Sequence, residues 1–298
     1  MNSPACDSPS TLPQDWPKAP VSVVILTYNE AVNLPSALDS CAWCDDVHVL
    51  DSGSTDGTVE IAEQRGVPVH HHAFESFGSQ RNWAIDHIPT KHDWVFHLDA
   101  DEWFTPRLVQ EIADRIAGAP AVDGYQVPHK LMLAGRWLKR SGGYPVYQVR
   151  LFHTARLRFT DHGHGQREAE GTRTEKLAEP YLHHAYTKGL DDWIAKHHRY
   201  STQEAEQVLA GEALSFSASD LFSADGVRRR RALKALGYRL PGRPTLRWFW
   251  SLFVQRGFLD GGPGWTYAAM LRLYEQMIAL KVKSARSGVF PREGSKQP

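Results

Sequence analysis

The sequence predicts an α/β fold: a doubly wound, mostly parallel sheet followed by a helical, basic C-terminal extension. Three observations carry this reading. Short apolar runs alternate with helical patterns from Val21 to Trp103, the spacing of parallel strands joined by crossover helices. Three of those runs end in polar, acid-bearing segments, which parallel strands place along one edge of a sheet, where ligands bind in such folds. Beyond Leu221 the alternation stops, and fifteen basic residues there meet only four acidic ones.

The elements follow in order. Met1 to Pro20 is rich in Pro, Ser and Asp and reads as a disordered leader. Val21 to Leu26 is a β-branched run, a buried strand, ending on Thr27-Tyr28-Asn29-Glu30. Asn33 opens a helix through Leu34, Leu38 and Cys41. Val47 to Leu50 is a second strand, ending on the glycine-bearing acidic loop Asp51 to Thr58, and a short helix with Val59, Ile61 and Ala62 follows. Val67 to His70 is a third strand, and Phe77 to Ile88 a helix with Gln80, Arg81 and Asn82 near its start. Trp94-Val95-Phe96 leads into His97-Leu98-Asp99-Ala100-Asp101-Glu102-Trp103, and Thr105-Pro106 then signals a helix start. After Gly124 the alternation weakens. Tyr125 to Pro128 and Val146 to Phe152 read as strands around a basic loop, His162 to Glu168 is histidine-rich, and Leu190 to Leu209 is a long amphipathic helix.

The 298 residues, 42% of them apolar, are ample for a large core. Three cysteines argue against a disulfide scaffold and for a reducing compartment. Cys41 and Cys44 have no second pair with which to bind zinc, and His70-His71-His72 has no second ligand set. The amino-terminal stretch lacks a charged-then-apolar pattern, so no signal peptide is expected, and no run is long enough to span a membrane. The formal charge is zero overall, yet residues 221–298 carry +11 and the rest −11. That asymmetry calls for an anionic partner of the tail, a membrane or a nucleic acid. The run Trp248 to Phe253, between Arg247 and Arg256, fits a helix lying in a lipid interface.

Asp99 and Asp101 at a strand end can share a hard divalent cation with a diphosphate. The glycine loop at Asp51 follows the second strand and is acidic, unlike a dinucleotide fingerprint, and no P-loop pattern occurs.

Taken together, Val23 to Glu30, Asp51 to Thr58, Gln80 to Asn82, His97 to Trp103, Gln148 to Phe152, His183 to Tyr186 and Gly257 to Gly261 resemble the inverting family-two glycosyltransferases, especially the lipopolysaccharide-core glucosyltransferase subgroup. The resemblance implies a glycosyltransferase A-type, Rossmann-like sheet. It implies a hexosyltransferase moving a sugar from a nucleotide-sugar donor, with a UDP-sugar expected, to a hydroxyl of a glycolipid or oligosaccharide acceptor. With the composition and charge pattern, it divides the chain into a leader (1–20), a nucleotide-sugar-binding half (21–123), an acceptor half with the long helix (124–220) and a basic, amphipathic membrane-associating tail (221–298). It implies that Asp51, Thr27, Glu30 and Arg81 line the donor pocket, that Asp99 contacts the ribose or metal-bound water, and that Asp101 holds Mg2+ or Mn2+ with His183, or its neighbour His184. Relatives carry a His-Glu whose glutamate is the expected base. Here that stretch is His164-Gly165-Gln166-Arg167-Glu168, so Glu168 is the first candidate base and Asp161 the second. The enzyme is expected in the cytoplasm, peripheral on the inner face of a bacterial inner membrane and binding no nucleic acid. The alternatives are a nucleotidyltransferase, which needs a glycine-rich basic loop where Thr27-Tyr28-Asn29-Glu30 stands, and a non-catalytic membrane-binding module, which leaves the acidic edge without a role.

Overall fold

The computed structural model describes residues 16–118, 120–162, 165–211, 217–239 and 242–287. They fall into two units: Met1–Trp137 with Gly142–Thr187, and Leu138–Ser141 with Lys188–Pro298.

The first unit opens with β1 (Ser22–Thr27), α1 (Leu34–Ser40), β2 (Val47–Asp51), α2 (Thr58–Gln64), β3 (Val69–His71), α3 (Phe77–His87) and β4 (Trp94–Asp99). The order across the sheet is β3-β2-β1-β4, all parallel. All six residues of β1 are buried. Its alternate side chains enter two different cores, as a strand covered on both faces requires. Val23 and Ile25 join Leu34 and Ala37 of α1, while Val24 and Leu26 join Ala84 of α3. Helices therefore lie on both faces, and the strand ends at Thr27, Asp51 and Asp99 share one edge.

The chain continues through β5 (Glu102–Trp103), α4 (Pro106–Ile116), β6 (Gly124–Leu133), β7 (Arg136–Trp137), β8 (Val146–His153), β9 (Phe159–His162), β10 (Gly165–Glu168), β11 (Thr174–Lys176) and β12 (Tyr181–His183). Thr105 caps α4 by accepting from the Leu108 amide at 3.3 Å, with Pro106 in the first turn, as the sequence signalled. Beyond β4 the sheet becomes mixed, in the order β8-β6-β12-β5. β8 runs antiparallel to both β4 and β6, and β12 runs parallel to β6. β9 and β10 form a separate hairpin that packs on α3.

The second unit holds α5 (Gly189–Leu209), α6 (Gly226–Arg239), α7 (Arg243–Phe249) and α8 (Gly262–Ser287). α5 and α7 pack on α8. The Lys281 ammonium on α8 donates to the His198 carbonyl at 2.6 Å and to the Ser201 hydroxyl at 2.8 Å on α5. Arg243 of α7 forms a two-pronged pair with the buried Glu275 of α8, at 2.8 and 3.0 Å. The Asp260 carboxylate accepts from the backbone amides of Arg140 and Ser141, at 3.0 and 2.8 Å, and from the Ser141 hydroxyl. That clasp is why residues 138–141 belong to this unit. Gly264 is obligatory at the start of α8, because a Cβ there would lie 2.1 Å from the Gly257 carbonyl oxygen.

Three boundaries differ from the sequence reading. The leader is packed earlier than expected, since Trp16 lies against the first core and Ala19 is buried; residues 1–15 lie outside the described residues. The expected halves 21–123 and 124–220 share one sheet, because β8 and β6 extend it from β4. The helical unit begins at Lys188, not Leu221, because α5 buries its apolar side on α8. The tail is helical as expected, and among the described residues no helix is long and apolar enough to cross a membrane.

Candidate active site

The first two strand ends are stitched together by short polar side chains. Asp51 is almost fully buried, with its oxygens accepting from the hydroxyls of Thr27 (2.9 Å) and Ser54 (2.5 Å) and from the amides of Gly53 and Ser54 (2.9 Å each). The Asn29 amide donates to the Ser54 hydroxyl, and the Glu30 amide to the Thr58 hydroxyl, both at 2.8 Å. Glu30 itself accepts from the Asn33 side chain at 2.6 Å. Gly53 has φ +90, a left-handed conformation that favours glycine and lets the loop fold over the Asp51 carboxylate. Thr27, Glu30 and Asp51 thus lie together, and the bonds at Asp51 hold the shape of the loop itself.

Beside them is a second cluster. Arg81, one turn into α3, is 2% exposed and donates to Asp99 at 3.1 Å. Arg150, on β8 and equally buried, donates to both oxygens of Asp99, at 3.3 and 2.6 Å, and to Glu102 at 2.5 Å. Burial works against ionisation of Asp99, but Arg150 and Arg81 outweigh it and hold the carboxyl well below the usual range. Burial pushes the Glu102 carboxyl up, against the pull of Arg150. Burial and the neighbouring Arg150 draw Arg81 down to about 10, still cationic at neutral pH. The Nε and Nη1 of Arg81 are buried and without a hydrogen-bond partner among the described residues. Unpartnered guanidinium donors in a protein interior are costly.

Asp101 lies two residues further on. Its Oδ2 faces the Nε2 of His183 at 3.4 Å, both side chains being about a quarter exposed. β12 pairs His183 with Glu102, which brings the histidine to this loop. His184 points elsewhere: its ring stacks on Trp103 with centroids 3.7 Å apart, while its amide donates to the Asp101 carbonyl at 2.7 Å. Burial alone would lower His183; Asp101 beside it outweighs this and raises it. Two ligands each about 2.1 Å from one ion and at right angles are about 3 Å apart, so this pair fits adjacent positions of a divalent cation. Among the described residues no three His, Cys, Asp or Glu are grouped to hold an ion alone. The rest of the shell would come from substrate oxygens and water, the usual arrangement for magnesium-type ions.

The two candidate bases lie on the hairpin. Asp161 accepts from the Ser76 hydroxyl at 2.7 Å and the Gly78 amide at 2.9 Å, and so holds the start of α3. Glu168 stands opposite Phe159 in the hairpin register, so the two share a face, and the Arg81 guanidinium lies 5.9 Å from the Phe159 ring centroid. Gly163 and His164 lie outside the described residues.

Sequence reasoning assigned no role to Arg150, Glu102 or Tyr181, whose hydroxyl accepts from Arg150 at 3.4 Å. The signal was present in Val149-Arg150-Leu151-Phe152: a cation inside an apolar strand must have a buried anionic partner.

The fold is a doubly wound sheet with acidic side chains gathered at one edge, the place where ligands bind in such sheets. The family model described as "Glycosyl transferase family 2" matches residues 22–171, half of the chain, and the protein belongs to that family. It is 27% identical over 207 residues to the lipopolysaccharide core biosynthesis glycosyltransferase LpsC of Rhizobium meliloti (strain 1021), a match covering 65% of this chain and 73% of LpsC. An uncharacterized glycosyltransferase of Rickettsia bellii (strain RML369-C) is 38% identical over 93 residues, 31% of either chain. Among solved structures, S. aureus TarS 1-349 aligns with 17% identity and a TM-score of 0.40, over 91% of this chain and 93% of that one. Glucosyl-3-phosphoglycerate synthase from Mycobacterium tuberculosis, in complex with Mn2+ and UDP-glucose, aligns with 18% identity and a TM-score of 0.40, over 59% and 74%.

Proposed function

We propose that this glycosyltransferase moves a hexose, with inversion, from a nucleoside-diphosphate sugar to a hydroxyl of a membrane-borne glycolipid of the lipopolysaccharide-core type. The observation that carries the reading is the facing pair of Asp101 and His183, set beside Asp99, which Arg81 and Arg150 hold. Asp101 and His183 would hold Mg2+ or Mn2+, which when bound offsets the charge of the departing diphosphate. Thr27, Glu30 and Asp51 shape the loops that receive the nucleotide. Asp99, fixed by two arginines, is placed to accept from ribose hydroxyls or metal-bound water. The acceptor oxygen attacks the anomeric carbon opposite the diphosphate; the new carbon–oxygen bond forms as the bond to the diphosphate breaks. Glu168 is the base proposed for the hydroxyl proton. Asp161 is the second choice, because its two oxygens are already taken by the Ser76 hydroxyl and the Gly78 amide. The nature of LpsC supports the acceptor class, and a UDP-sugar is the proposed donor, used at the cytoplasmic face of an anionic membrane.

The test is a titration with uridine diphosphate, with and without manganese or magnesium. Metal-dependent stabilisation is expected, about 2.7 kcal/mol at a hundredfold excess over Kd. Asp101→Asn should keep the fold, lose metal-dependent donor binding and lower turnover by about 100-fold or more. A protein that no nucleoside diphosphate stabilises, with or without metal, would sink the reading.

A further inference from the structure

We propose that an aromatic corner of the second unit inserts into an anionic lipid surface and docks the enzyme there. The corner is built by the end of α7, the π-helical turn Trp250–Val254, the 3-10 turn Gly257–Asp260 and the start of α8. It is no ordinary core-facing stripe. Ser251 and Leu252 point inward and are fully buried, whereas Phe249 (51% exposed), Trp250 (51%), Phe253 (44%), Phe258 (42%), Leu259 (59%) and Trp265 (46%) remain in solvent. The rings of Phe249, Phe258 and Trp265 form one patch with that of Phe253, at centroid distances of 4.9, 6.5 and 6.4 Å. Large exposed apolar patches with a polar rim mark interaction surfaces.

Charge selects the partner. From Arg243 to Ser287 there are seven basic residues and two acidic ones. Both acids are committed internally: Glu275 to Arg243, and Asp260 to the backbone amides of Arg140 and Ser141. No salt bridge joins Arg247, Arg256 or Arg272 to an acid among the described residues, and the first two flank the aromatic run in sequence. An exposed aromatic patch in a segment rich in cations matches a layer of anionic headgroups over acyl chains. A second copy would bring the same cationic segment against itself. No helix among the described residues is fit to cross the bilayer, so the contact is interfacial. This assignment deepens the membrane-borne acceptor reading, yet it stands on the second unit alone.

The experiment is flotation of the full chain with vesicles of phosphatidylglycerol and phosphatidylcholine in equal parts, and with phosphatidylcholine alone. Binding is expected to the mixed vesicles only, and to weaken as salt rises. Phe249→Ser with Phe253→Ser removes two exposed rings of the patch and should lower the vesicle partition coefficient at least ~10-fold. Arg247→Gln with Arg256→Gln should lower it ~30-fold at low salt, at about 1 kcal/mol for each cation. Both variants alter exposed or half-buried side chains and should keep the wild-type melting temperature. A protein that binds uridine diphosphate but never floats at low salt overturns the docking proposal alone. Flotation unchanged in the double ring variant, or a dimer that this variant turns into monomers, overturns it as well.

Discussion

Arg150 is the residue on which the acidic edge depends. It stands between Asp99 and Glu102, with side chains of Arg150 and Glu102 nearly inaccessible to water. Two carboxylates at this spacing repel unless a cation lies between them, and their desolvation is offset only while that cation is present. Arg150→Met should therefore cost about 3–5 kcal/mol of stability, the cost of leaving buried charge uncompensated. Adding Glu102→Gln to it should recover part of the loss, because one of the stranded charges is removed. Urea unfolding of both variants reads this directly. A loss below about 1 kcal/mol for the single variant would show that the carboxylates do not rely on Arg150.

The β9–β10 hairpin carries both proposed bases. Asp161 ties it to the first turn of α3, and Asn82 clasps it further along, its amide donating to the Phe159 carbonyl at 2.8 Å while its oxygen accepts from the Phe159 amide at 2.9 Å. This fixes the face that carries Glu168. Glu168→Gln is expected to slow turnover about 100- to 10,000-fold with donor affinity unchanged, the range for loss of a general base. Asp161→Ala should behave as the loss of a helix cap, costing about 0.5–2 kcal/mol in stability and little in rate. Steady-state kinetics and denaturation together separate the two. If the rate falls with the Asp161 change and holds with the Glu168 change, Asp161 is the base.

At the scale of the whole molecule, His97, Asp46 and Asp123 should each withdraw stability as the pH falls, in two stages. His97 is fully buried against Phe152, with neither ring nitrogen hydrogen-bonded among the described residues; burial first, then Arg81 and Arg150, holds it well below its usual range. Below about pH 6.5 the unfolded chain takes up a proton at this position that the folded chain refuses, so stability declines as pH falls. Asp46 and Asp123 have the opposite character. The Asp46 carboxylate accepts from the Ser22 hydroxyl (2.5 Å) and the Lys91 amide (2.7 Å), and Asp123 accepts from the Arg173 amide (2.8 Å). Burial opposes ionisation at Asp46, yet these bonds leave it lowered; the Arg173 amide is the main cause at Asp123. Their contribution is present above about pH 3.9 and is lost as pH falls through their depressed folded values. His97→Phe should remove the His97 part of the first stage and leave the second, as read from urea midpoints across pH. An unchanged slope between about pH 6.5 and 4 in that variant would mean that His97 is not a source of it.

The strand–helix alternation, the three acidic strand ends and the Thr105-Pro106 cap were legible in the sequence, because period, turn chemistry and capping are local properties. The same holds for the aromatic run beside basic residues. Which of two adjacent histidines faces Asp101 was not legible: β12 aims one side chain at the loop and the next at Trp103, and only the pairing of β12 with β5 fixes which. Nor could the sequence tell that Asp51 spends its oxygens on its own loop, that α5 belongs with α8, or that Phe253 faces solvent while Leu252 faces inward. Those are decided by contacts between residues far apart in the chain. Arg150 and Asp99 are separated by 51 positions and meet at 2.6 Å only because β8 is laid beside β4. Local chemistry determined which residues could serve the site, and the sheet's pairing order decided which of them meet.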